Sequence, residues 1–359
     1  MQKVTEKSPL QYFETMVLYC LARLKGERTI YSIFHLFKGK RSAQTIQDAH
    51  LYSLSALFHS FGALERKDLE RVVSKLLHQN LISEMDSQRY SLTNDGNRYL
   101  SSLLKQSPLP PHLDGLKYNQ LGRRLWERLS LLVQVCSYIS RNDSNYIPIQ
   151  KGRDAQQWIK SLFKNMNPQD RGLLPAKLLK ELKYVLEEGR GIRPDILVLR
   201  LSGYRAAGLT TSQAARELEM DEFYCHLEFL GVLHYLCKML AEKPENYPLL
   251  TLLAGDAGEE LPLTQSAKQT YKFLKEGLSI ESIAAVRGLK SSTVEDHIVE
   301  ITLNIPGFPI EPFVTADEIE RIIELSSGLA TRQLRVLKEK AGGITYFKIR
   351  LILAKFGER

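Results

Sequence analysis

Apolar residues recur at three- and four-residue spacing through most of this 359-residue chain, the period of amphipathic helices. Leu69, Val72, Val73, Leu76 and Leu77 show the pattern: positions i, i+3, i+4, i+7 and i+8 predict a helix over 68–79 with one buried face. Arg71, Ser74, Lys75 and His78 fall on the opposite side. One stretch breaks the period. Residues 81–85 and 89–93 read as two short strands about the polar turn Asp86-Ser87-Gln88, a β-hairpin. Thr93 or Asn94 then stands where it caps a further short helix over 96–104. The pattern as a whole predicts a mainly α, multi-domain protein with one hairpin near the N-terminus.

Punctuation divides the chain into four segments. Pro108, Pro110 and Pro111 cannot sit inside a helix and mark a linker; softer glycine-rich breaks fall at 189–194 and 255–258. The expected domains are 1–106, 112–192, 193–258 and 263–359. Residues 1–106, 107–192, 193–262 and 263–359 carry net charges of +5, +6, −5 and +2 within a total of +8, so the basic excess lies in the first half, where a polyanion would be held. The acidic third segment is the expected protein-contact surface. Apolar content of 43% and charged content of 25% are those of a globular chain rather than a disordered one. No apolar run reaches the roughly 18 residues of a membrane helix, and residues 1–7 lack the apolar core of a signal peptide. A cytoplasmic, nucleoid-associated protein with no membrane partner is expected. Cys20, Cys136, Cys225 and Cys237 are scattered and read as free thiols. His226 and His234 share one helix about 12 Å apart along its axis, too far for one metal, so core packing is expected there and no metal or cofactor.

The sharpest short motif lies at 277–303. Ser279 is placed as an N-cap, Ala284 is small where two helices approach, Gly288 stands where the turn needs positive φ, and Val294 and Ile298 fill the core from a second helix. That is helix-turn-helix spacing. Lys290, Ser291, Ser292 and Thr293 fall at the start of the second helix, and Asp296 and His297 on its expected outer face, within reach of DNA. Glu295, Asp296 and Glu300 make the same helix acidic, as suits a plain packing unit. A weaker copy at 208–215, with Glu219 in place of the turn glycine, reads as scaffold or protein contact. No G-x-x-x-x-G-K-[ST], H-E-x-x-H or G-x-S-x-G sequence occurs, so neither an ATPase motor nor another enzyme is expected, and no small-molecule ligand.

Gly26-Glu27-Arg28-Thr29, then Phe37-Lys38-Gly39-Lys40-Arg41-Ser42 and Ile46, then the helix and hairpin closing on Tyr90 to Gly96, resemble the RQC winged helix of RecQ-family helicases over about residues 25–104. The resemblance implies that the basic loop and the hairpin wing meet DNA. Lys38, Lys40, Arg41 and Ser42 offer cations and a hydroxyl to phosphates around Gly39, joined by Arg71, Lys75 and Arg89. The family's cysteine-rich zinc subdomain is missing upstream, and no aromatic stands at the wing tip. Residues 263–356 resemble the helix-turn-helix domain at the C-terminal end of some bacterial RecQ helicases. As a whole the chain resembles the YpbB-type family of Firmicutes. This implies a DNA-binding accessory subunit that supplies both domains in trans to a RecQ-family helicase in DNA repair and recombination. A transcriptional regulator reading a fixed operator, and a protein–protein adaptor, are the alternatives.

Overall fold

A computed structural model describes residues 11–255, 263–305, 307–328 and 334–357. Helices α1 (Tyr12–Leu24), α2 (Ile30–Phe37), α3 (Ala43–Leu51) and α4 (Arg66–His78) precede the hairpin of β1 (Ile82–Asp86) and β2 (Arg89–Leu92). After α5 (Asn94–Gln106) and the proline linker come α6 (Gly115–Ile139), α7 (Arg153–Lys164), α8 (Pro168–Glu188), α9 (Pro194–Leu199), α10 (Thr211–Glu217), α11 (Glu222–Glu242) and α12 (Pro248–Ala254). The chain closes with α13 (Gln265–Lys275), α14 (Ile280–Arg287), α15 (Ser291–Asn304), α16 (Ala316–Gly328), α17 (Leu334–Lys340) and α18 (Tyr346–Phe356). The protein is mainly α, and among the described residues the antiparallel pair β1–β2 is its sole sheet. No described helix is long and apolar enough to cross a membrane.

The chain divides into two compact units, whose boundaries cut through the first expected segment. One takes residues 11–17 and again from Arg98 through α12; the other joins Leu18–Asn97 to α13–α18. Residues 18–97, the body of the N-terminal winged-helix segment, and the C-terminal helix-turn-helix segment therefore share a unit, and the two middle segments share the other. Periodicity reports which face of a helix is buried, not which helix buries it, so this grouping lay outside its reach.

In the first unit α7, α8, α11 and α12 pack on α6, and α9 and α10 pack on α11. Leu125, Leu129, Val185, Leu197, Val232 and Leu236 form the centre of its core. Asp114 caps α6 by accepting from the Lys117 N–H at 3.1 Å, and its own N–H donates to His234 Nδ1 at 3.1 Å. Burial pushes the His234 pKa down to about 4. Cys136, Cys225 and Cys237 lie buried as free thiols, and burial raises the pKa of each, that of Cys136 to about 12, which makes them packing groups rather than nucleophiles.

In the second unit α15 is the central helix, contacted by α13, α14, α18 and, from the N-terminal segment, α3. Arg350 on α18 ties the seam: its Nε donates to Gln47 Oε1 of α3 at 2.7 Å, and its Nη1 pairs with Asp296 of α15. On the far side of α3, Arg28 bridges Asp48 at 3.0 Å.

Candidate nucleic-acid interface

The helix-turn-helix is built from local signals. Ser279 Oγ accepts from the Ser282 N–H at 3.2 Å and opens α14. Gly288 closes it in the left-handed region at φ +60°. A Cβ there would meet nothing within 4 Å, so the glycine answers the backbone conformation rather than crowding. Lys290, Ser291 and Ser292 are exposed at the start of α15 and Thr293 is half-buried.

Beyond that first turn the helix closes over. Val294 and everything from His297 to Thr302 are buried. The expectation that His297 faces outward is corrected: it is 8% exposed, with Nδ1 2.9 Å from Thr270 Oγ1 on α13, and burial lowers its pKa. Glu300 is likewise buried, its carboxylate accepting from the Thr264 hydroxyl at 3.0 Å. Of the three carboxylates expected to make the helix surface acidic, one is thus inside and a second, Asp296, is paired with Arg350.

The weaker copy has the same geometry. Thr210 caps α10 with a capping box to Gln213, Glu219 takes the left-handed turn position at φ +51°, and Asp221 caps α11. Here the start of the second helix is occupied. The Tyr12 N–H donates to Asp221 at 3.2 Å, and Tyr12 and Phe13 lie against Tyr224 and Phe223 with ring centroids 4.6 and 5.3 Å apart. Most of α11 is core.

In the N-terminal segment the sequence-neighbouring candidates part company. Lys38 donates to the Gly62 carbonyl at 2.7 Å. Gly39 has φ +69°, and a Cβ on it would lie 2.3 Å from the ring of His59; it makes room for that ring rather than for an approaching phosphate. Arg41 lies over the Phe58 ring at 5.8 Å and within electrostatic range of Glu300, placing it at the seam with α15. Ser42 caps α3 through the Thr45 N–H at 3.3 Å. Arg71 pairs with Asp68 at 3.7 Å, and Arg89 with Asp86 within the hairpin. Lys75 is half-buried on α4. The Gln88 carbonyl at the wing tip accepts from the Ile30 N–H at 3.0 Å, holding the wing against the start of α2.

Lys40 is exposed and has a neighbour that periodicity overlooked. Arg66 opens α4, two residues before the predicted start, and its guanidinium lies over the rings of Tyr31 and Phe34 at 5.2 and 5.9 Å. Among the described residues neither Lys40 nor Arg66 has a carboxylate partner. Both act on His35, whose pKa is lowered by partial burial and then by these two cations. The signal that could have found Arg66 is the Glu65–Asp68 capping pair, which starts α4 ahead of its apolar period; Glu70 is in place to pair with Arg66 but accepts from the Tyr31 hydroxyl at 3.0 Å instead. Lys40 and Arg66 form a site of positive potential beside the His35 ring.

A helix-turn-helix domain family matches residues 266–353, spanning α13 to α18. Over its whole length the chain is similar to Protein YpbB of Bacillus subtilis strain 168, with 35% identity over 348 residues, 96% of this chain and 98% of that protein. No solved structure matches.

Proposed function

The chain belongs to the YpbB family, and from that premise we propose that it is a DNA-binding accessory subunit, without catalytic turnover of its own, for a separate RecQ-family helicase acting in repair and recombination. The observation that carries this reading is the shared unit. The two segments that resemble accessory domains of such helicases stand at opposite ends of the chain and pack together through α3 and α15. A pair of domains docked in this way is delivered to a partner as one body. Lys40 and Arg66 supply the leading phosphate contacts, with Lys38, Lys75, Arg71, Arg89 and the open first turn of α15, Lys290 to Thr293, as further contacts. The occupied outer face of α15 favours backbone-directed binding over the reading of a fixed operator, because base recognition by such a helix uses residues well past its first turn as well as those within it. The test is to mix the purified protein with a short RecQ-like helicase from the same cell. Co-migration on gel filtration and altered unwinding are expected; separate elution at micromolar concentration with unchanged unwinding overturns the partnership.

A further inference from the structure

Helix α2 buries Ile30, Ile33, Leu36 and Phe37. Its opposite stripe, at i, i+3, i+4 and i+7, is Tyr31, Phe34, His35 and Lys38, all half-buried. A surface helix ordinarily turns polar residues outward, and here the outward stripe carries two aromatic rings and an imidazole. The Phe34 and His35 rings meet edge to face at 5.8 Å. Arg66 reaches across from α4 to cover Tyr31 and Phe34, and the Tyr31 hydroxyl is fixed by Glu70. Lys40 follows just beyond the end of the helix, its N–H bonded to the His35 carbonyl at 2.9 Å.

We propose that this patch is a seat for an unpaired nucleotide, with the base stacked on the Phe34–Arg66–Tyr31 surface and the adjoining phosphate between Lys40 and Arg66. The occupant is argued from complementarity. Flat rings and a guanidinium plane match a base of any identity, and two cations without carboxylate partners match a phosphate. In a paired duplex the base faces are hidden in the stack, so the patch distinguishes a single strand or a frayed end from a blunt duplex. This inference rests on the DNA-binding reading above and specifies which form of DNA the patch takes.

The test uses the full chain and two labelled probes, a single-stranded oligonucleotide and a blunt duplex of the same sequence. Phe34→Leu keeps apolar volume and removes the π face. It is expected to weaken single-strand binding on the order of ten-fold, the worth of one base–aromatic stack, with duplex affinity little changed. A single strand carrying 2-aminopurine is expected to lose fluorescence on binding the parent protein and to keep it on binding the variant. If Phe34→Leu weakens both probes equally, or leaves single-strand affinity and quenching unchanged, the proposal is overturned. It is overturned likewise if a polyglutamate competitor displaces the strand from parent and variant alike at equal concentration, since the patch is then an electrostatic surface for acidic chains. If the parent protein binds neither probe, it is the DNA-binding reading itself that has failed.

Discussion

Arg350 on the last helix donates a 2.7 Å hydrogen bond to Gln47, a residue 303 positions earlier in the chain. Gln47 is buried, so its side-chain carbonyl depends on that guanidinium. Arg350→Ala leaves it unsatisfied and is expected to cost about 1–3 kcal/mol. Calorimetry should show the loss in the transition of the second unit alone, and an unchanged second transition would mean that the seam contributes nothing to stability.

Salt dependence separates phosphate contacts from structural cations. Each phosphate contact contributes about 0.9 to the slope of log K against log salt on B-DNA. Replacing Lys40 and Arg66 together by alanine is expected to flatten that slope by up to about 1.8. Arg41→Ala is expected to leave the slope unchanged and lower stability, because this side chain lies against Phe58 and near Glu300. Binding isotherms over a salt series decide it; a Lys40/Arg66 variant with unchanged slope moves the main DNA contact elsewhere.

The two helix-turn-helix turns call for opposite substitutions. Gly288→Ala puts a Cβ on a left-handed residue with open space around it, so it is expected to cost about 1–2 kcal/mol from backbone conformation alone. Glu219→Gly relieves the same strain in the first unit and is expected to stabilise it by roughly 0.5–1 kcal/mol, after the entropy cost of glycine is set against the relief. Urea unfolding of both variants tests the pair, and a Glu219→Gly protein less stable than its parent would show that Glu219 makes a contribution beyond its φ angle.

His234 sets a pH dependence for the first unit. Its folded pKa is about 4 against about 6.5 for a free histidine, because the ring is buried; its Nδ1 accepts from the Asp114 N–H. Between these values the unfolded chain binds a proton that the folded chain refuses. Stability is full above pH 6.5 and falls as the pH drops toward 4, by roughly 3 kcal/mol over the window. His234→Gln keeps an acceptor for Asp114 and removes the titration. Its unfolding free energy is expected to vary less between pH 7 and pH 4.5 than that of the parent; equal slopes would exclude His234 as the source.

What the sequence made legible was local. The cap at Ser279, the left-handed Gly288, the Glu219 copy, the hairpin around 86–88 and the Thr93 cap of α5 each depend on residues a few positions apart, and each signal is chemical rather than statistical. What stayed hidden was non-local. Ile46 and Ala49 announce that α3 has a buried face but not that α15 lies near it. His297 occupies an outward position on α15 taken with α14 alone and becomes interior once α13 is in place. Arg66 escaped because the apolar period begins at Leu69, whereas the capping interaction of Glu65 with Asp68 starts the helix earlier.

The second unit is discontinuous in sequence, and this fixes the order in which it can be made. On the ribosome α2, α3, α4 and the hairpin emerge early, yet the surface that α3 gives to α15 must wait for α13 to α18, which emerge well after them. The intervening unit, most of which runs from α6 to α12, can complete itself in the meantime. A nascent chain therefore carries an exposed apolar flank through most of its translation, and closing the long loop between α3 and α15 is the slow, entropically costly step. Early termination of synthesis leaves that flank uncovered for good, which marks the product for chaperones and proteases.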